Sequence, residues 1–214
     1  MVRGKKLDGR RERSRQTRRR IVDAATHLFV ARGYVASTIE DVAAEAGVAV
    51  QTVYYVFGTK PLLLSAVLDA SIAGDVEPVP IVERSWIESL RTERDATKAV
   101  RTLVDSTVSI VARATPIYEV VRRAAADPDV NALLEETRRR RRNDQRALIE
   151  ILAESGHIRP EVTVQSAADA FYGLVNEEAF QLLTGDCGWD VDRFRSWVTG
   201  LMVYQLLGVD ATTA

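Results

Sequence analysis

Apolar residues recur at helical spacing along most of the chain, and no stretch sustains the two-residue alternation of a strand. Ile21, Ala25, Leu28 and Phe29 form the stripe of an amphipathic helix over residues 17–32, with Thr17 as its cap and Gly33 as its left-handed stop. Thr38-Ile39-Glu40-Asp41 places a carboxylate three residues after a capping hydroxyl, a near relative of the capping box. The short helix behind it turns Ile39, Val42, Ala43 and Ala46 inward and stops at Gly47. A third helix is predicted from about Val50 to Phe57. Thr59 caps a fourth, with Pro61 in its first turn and Leu62, Leu63, Ala66 and Leu68 as its apolar surface. Two prolines break residues 74–84 into a loop. Helical patterns resume at about 95–113, 116–126, 129–154, 164–184 and 190–207. Thr115-Pro116, Asp127-Pro128, Gly156–Pro160 and Gly185–Gly188 separate them. The expected fold class is all-α, with about nine helices.

Composition adds limits. With 46 % hydrophobic and 28 % charged residues over 214 positions, the chain is of globular type, neither disordered nor fibrous. Its single cysteine, Cys187, cannot form an intramolecular disulfide and points to a reducing compartment. No apolar run approaches the roughly 18–20 residues of a transmembrane helix, and no apolar core follows the N-terminal charges as in a secretory signal. A soluble, cytoplasmic protein is expected. The formal net charge of −1 hides an asymmetry, because the first twenty residues hold ten basic and two acidic side chains, a balance of +8 against −9 elsewhere. A basic arm ahead of an acidic body suits an anionic partner. That partner is either nucleic acid or an anionic membrane surface, though the arm's few apolar residues, Val2 and Leu7, give no amphipathic face for lipid.

Residues 33–64 carry the chemistry. They read as helix, tight turn at Gly47-Val48, then helix, with Val42, Val48 and Val53 spaced to pin the two helices together. The second helix is expected to point Gln51, Thr52, Tyr54 and Tyr55 outward, an array of amide, hydroxyl and phenol groups with Lys60 just beyond. Such an array suits a major groove, where amides and hydroxyls read base edges and cations such as Arg15 and Arg18 neutralise phosphates.

Gly33-Tyr34, Ser37-Thr38-Ile39-Glu40-Asp41-Val42-Ala43, Ala46-Gly47-Val48, Thr52-Val53-Tyr54-Tyr55, Phe57 and Thr59-Lys60 together resemble the DNA-binding signature of the tetracycline-repressor (TetR) family of transcriptional regulators. The close likeness covers roughly residues 17–64, and the remainder agrees in length and in its series of helices. The resemblance implies a three-helix helix-turn-helix domain followed by a helical domain that dimerises and holds an effector pocket. It implies phosphate contacts from Thr38, Tyr54, Tyr55 and Lys60, and a major-groove position for Val50, Gln51 and Thr52. Three positions depart from the pattern: Ala49 stands where serine usually caps the recognition helix, Val56 replaces a common tyrosine or histidine, and Glu40 stands where many members carry arginine. The expected organisation is a flexible basic arm at 1–16, a DNA-binding domain at 17–62 with its motif at about 38–57, and an effector-binding and dimerisation domain at 63–214.

Elsewhere the blander readings are preferred. Arg138–Arg142 is read as a solvated helix face, with Glu135 and Glu136 four residues ahead of Arg139 and Arg140. His27 and His157 are isolated, so no metal site is expected, and Cys187 has no basic neighbour to activate it. Glu177 and Glu178 diverge by about 100° on a helix and do not form a catalytic pair. The 190–207 helix is apolar nearly all round, which predicts a homodimer interface through Phe194, Trp197, Val198 and Leu201. Trp86, Tyr118, Phe171, Tyr172 and Asn176 are the candidates to line a pocket for a small, mainly hydrophobic effector. The overall expectation is a homodimeric repressor of a palindromic operator on double-stranded DNA, released by a small molecule, with no cofactor, metal or catalytic residue. The alternatives are a helical enzyme or adaptor with an incidental basic tail, and a ligand-independent regulator or activator.

Overall fold

The computed structural model of the chain describes residues 2–74 and 84–209, so most of the loop expected at 74–84 lies outside the described residues. All regular structure among them is helical: α1 (Val2–Arg32), α2 (Ile39–Ala46), α3 (Val50–Phe57), α4 (Lys60–Ala73), α5 (Ser85–Thr92), α6 (Ala96–Arg123), α7 (Pro128–Glu154), α8 (Val164–Leu174), α9 (Glu177–Gln181) and α10 (Val191–Leu207). No single described helix is long and apolar enough to cross a membrane.

Four boundaries differ from expectation. The backbone is helical from Val2, so the arm expected to be flexible is continuous with α1, and Thr17 lies inside that helix instead of capping it. Arginine, lysine, glutamine and glutamate favour helix and dominate this segment, with Gly4 and Gly9 opposing it most. Pro116 stands inside α6 without ending it. Buried Val111, Ala114, Ile117, Tyr118 and Val121 on both sides of the proline anchor the helix through one lost amide bond. Helix α5 escaped the sequence reading because eight residues with only Trp86, Ile87 and Leu90 as apolar positions carry little periodic signal. The helix expected over 164–184 is broken at Val175-Asn176. Asn176 adopts an extended backbone and caps α9 by accepting from the Ala179 amide at 2.7 Å. Its own side-chain amide donates to the Tyr172 and Gly173 carbonyls, both at 3.0 Å, so one residue satisfies both ends of the break. Beyond Gln181 the chain widens into a π turn at Leu182–Asp186.

The chain forms two compact units, residues 1–77 with 116–134 and residues 78–115 with 135–214. In the first, Ile21, Leu28 and Phe29 of α1 pack with Val42 and Ala43 of α2, Val53 of α3, Leu63, Leu64 and Leu68 of α4, and Tyr118 and Val121 of α6. In the second, Leu90 of α5, Leu103 and Val108 of α6, Leu148 and Leu152 of α7, Phe171 of α8 and Phe194, Val198 and Met202 of α10 share a core.

Candidate nucleic-acid interface

Helix α3 buries Val53 and Phe57 and packs half-buried Val50 and Val56 against the first core. With those positions facing inward, Gln51, Tyr54 and Tyr55 fall on the opposite face at helical spacing i, i+3 and i+4. Tyr55 is 90 % exposed and Tyr54 48 %. Thr52, expected to point fully outward, is half-buried at the edge of this face. Ala49 gives the helix no side-chain cap, and the first turn is closed by the Thr52 amide donating to the Ala49 carbonyl at 2.9 Å.

Two cations flank the helix. The Arg18 guanidinium lies 4.6 Å from the centre of the Phe57 ring at the C-terminal end of α3. The Lys60 ammonium lies 4.2 Å from the Tyr34 ring centre. Burial pulls Lys60 below its ordinary pKa, opposed by the charge of Asp127, while burial together with Asp127 and Asp129 pushes the Tyr34 phenol up to about 12. Tyr34 therefore stays a neutral ring beneath the half-buried Lys60. Arg15, one turn before Arg18, is exposed.

Helix α2 enters through a complete capping box. Asp41 donates its amide to Thr38 Oγ1 at 3.0 Å and accepts from both the Thr38 amide and hydroxyl at 2.9 Å. The Thr38 hydroxyl is thus engaged in the cap. Both Thr38 donors hold the Asp41 carboxyl below its usual range. A depressed folded-state pKa contributes stability that is present above the unfolded value and is lost as pH falls through the folded one. Chemical unfolding between about pH 2 and 6 should therefore show an acid-side loss in the wild type that is smaller in Asp41→Ala. Identical acid limbs would remove this cap from the pH dependence.

The residues expected to line an effector pocket are placed as follows. Tyr118 is fully buried in the first core and Phe171 in the second, Asn176 is the cap described above, and Trp86 and Tyr172 are half-buried in the second unit. On α10, Phe194 and Val198 are fully covered by the chain's own core and are not available to a partner. Trp197 is half-buried against Trp189, with ring centres 5.7 Å apart, whereas Leu201 and Tyr204 are 38 % and 65 % exposed.

The basic run on α7 also departs from a plain solvated face. Arg139, Arg140 and Arg142 are exposed, and Arg139 pairs with Glu136 at 2.6 Å. Arg141 turns inward onto Glu177, and its guanidinium stands 5.0 Å from the Tyr172 ring centre. At about 100° per residue, five consecutive positions sweep more than a full turn, so one must face the core.

Sequence reasoning also missed Ser37, whose buried hydroxyl donates to the Leu28 and Gly33 carbonyls at 3.2 and 2.9 Å. An isolated serine beside a turn carries no signal for that role.

Residues 21–67 match the model of "Bacterial regulatory proteins, tetR family". The chain is 40 % identical over 76 residues to the uncharacterized HTH-type transcriptional regulator TtgW of Pseudomonas putida, covering 34 % of this chain and 57 % of that protein. It is 40 % identical over 74 residues to the HTH-type transcriptional regulator SrpR of Pseudomonas putida, covering 33 % and 35 %. The matches thus span little more than half of the first relative and about a third of the second. Among solved structures, the regulator FadR of Bacillus subtilis in complex with stearoyl-CoA has the same fold, with a TM-score of 0.66 at 20 % identity over 87 % of this chain and 98 % of that one.

Proposed function

The chain belongs to the tetR family of bacterial regulatory proteins, and on that premise we propose that it is a DNA-binding transcriptional regulator, a homodimeric repressor of a palindromic operator. The observation that carries the reading is the outward face of α3, Gln51, Tyr54 and Tyr55, flanked by Arg18 and Lys60. A short rigid helix with amide and phenol groups between cations has the size and chemistry for the major groove. Two copies joined through Trp197, Leu201 and Tyr204 on α10 would set their recognition helices about 34–36 Å apart, one turn of B-DNA, or a multiple of it.

Release by a small, mainly hydrophobic effector belongs to the same proposal; proteins of this fold have been solved with ligands as different as stearoyl-CoA, in FadR of Bacillus subtilis, and choline, in a regulator from Saccharomonospora viridis. Trp86 and Tyr172 are the residues proposed to line its site, being aromatic and half-buried in the second unit. A ligand that prefers another helix spacing lowers DNA affinity by its differential binding to the two states.

Selection of bound fragments from random DNA tests the reading, and recovery of no common palindrome would refute it. Two variants then separate positioning from specifying contacts. Removal of residues 1–13 should weaken operator and random DNA alike and flatten the salt dependence by roughly one unit of log-log slope per lost phosphate contact. Gln51→Ala should cost about 1–3 kcal/mol on the operator and little on random DNA, with the slope unchanged. Fluorescence anisotropy at several salt concentrations measures both, and the opposite pattern would reverse the assigned roles.

A further inference from the structure

Arg18, Arg19 and Arg20 read in the sequence as one basic run aimed at phosphate. Successive helical residues diverge by about 100°, and the three side chains go to three places. Arg18 covers Phe57, and exposed Arg19 lies 3.8 Å from Asp23. The Arg20 Nη2 donates to the Ala46 carbonyl and, at 3.0 Å, to the Gly47 carbonyl.

Those carbonyls belong to the turn between α2 and α3. Within the turn, the Gly47 amide donates to the Ala44 carbonyl at 3.1 Å and the Val48 amide to the Ala43 carbonyl at 3.0 Å. The carbonyls of Ala46, the last residue of α2, and of its cap Gly47 have left the helix ladder, and Arg20 donates to both. A cation at this end also complements the partial negative charge of the α2 C-terminus. The packing is close: a Cβ on residue 47 would lie 2.7 Å from Arg20 Nη2, so the glycine serves both its left-handed backbone (φ +63°) and the guanidinium beside it.

We propose that Arg20 is a positioning residue for sequence recognition: its guanidinium, held on the Ala46 and Gly47 carbonyls, fixes the turn between α2 and α3 and thereby the angle at which α3 meets DNA. The inference rests on the reading of α3 as the recognition helix. Arg20 acts through the turn and takes no part in phosphate neutralisation. Substitution therefore blurs the discrimination between operator and random DNA and leaves the counterion term intact.

The test is Arg20→Met, which keeps the aliphatic stem, assayed on the selected operator and on random duplex over a range of salt. The expected result is an operator affinity about tenfold weaker, random DNA little changed, and an unaltered log-log salt slope. Equal weakening on both DNAs with a slope reduced by about one would make Arg20 a phosphate contact and overturn the proposal. So would wild-type discrimination by the folded variant. Hydrogen exchange on the free protein reads the tether without DNA: the Gly47 and Val48 amides should exchange about tenfold faster in Arg20→Met, and unchanged exchange would refute the tether. A wild type that binds operator and random DNA alike would instead refute the recognition-helix reading while the exchange result still reports on the turn. Should Arg20→Met not fold, Arg20→Lys keeps the charge with a shorter reach. It should lose part of the discrimination at unchanged slope, and full wild-type discrimination there would overturn the proposal.

Discussion

Glu177→Ala is expected to lower the unfolding free energy by about 3–5 kcal/mol, because it leaves the buried Arg141 guanidinium without its carboxylate. Glu177 is 4 % exposed, and the Arg141 side chain is 12 % exposed. The weaker contacts of Arg141, Glu178 at 3.6 Å and the Tyr172 hydroxyl at 3.4 Å, compensate in part and favour the lower end of that range. Exchange of both partners for apolar residues, Arg141→Met with Glu177→Leu, should cost much less than Glu177→Ala, since it removes the desolvated charges together. Urea unfolding of Glu177→Ala and of the double variant measures the two costs directly. A single-variant cost under about 1 kcal/mol would show that the pair is hydrated and contributes as a surface pair does.

Leu201→Glu is expected to convert the proposed dimer, of about 47 kDa or twice the 23.7 kDa chain, into monomers. Leu201 is an aliphatic position on α10 whose replacement disturbs the chain's own core little, being 38 % exposed where Phe194 and Val198 are fully buried. A carboxylate there costs little in the monomer and is strongly unfavourable in a desolvated, self-complementary contact. Because a single half-site binds without the effective concentration supplied by its partner, operator affinity should fall by about 10²-fold or more, and affinity for random DNA by far less. Light scattering and anisotropy read the two effects independently. A Leu201→Glu protein that remains dimeric would move the interface away from this face of α10.

The all-helical class and the first four helices were legible in the sequence because their determinants are local. The Thr38–Asp41 box, the Thr59 cap and the left-handed Gly33 and Gly47 each act within a few residues. The outward placement of Gln51, Tyr54 and Tyr55 followed from the period of the helix once Val53 and Phe57 were inside. The direction of each side chain along an arginine run has no such local signal. Arg18, Arg20 and Arg141 look alike in sequence, yet one covers a ring, one holds a turn and one is buried against a glutamate, each with a partner far off along the chain.

Chemistry between neighbouring residues determined the helical class, the capped turns and the candidate recognition face, since propensity, period and capping are local properties. Tertiary packing decided the rest. It carried α6 through Pro116, which local rules would have made a boundary, because buried residues on both sides outweigh one missing amide bond. It made Asn176 a helix cap at a break the sequence did not announce, and it divided α10 into an inward face of Phe194 and Val198 and an outward one of Leu201 and Tyr204. An apolar residue carries no record of which surface will cover it; that depends on helices brought together from distant parts of the chain.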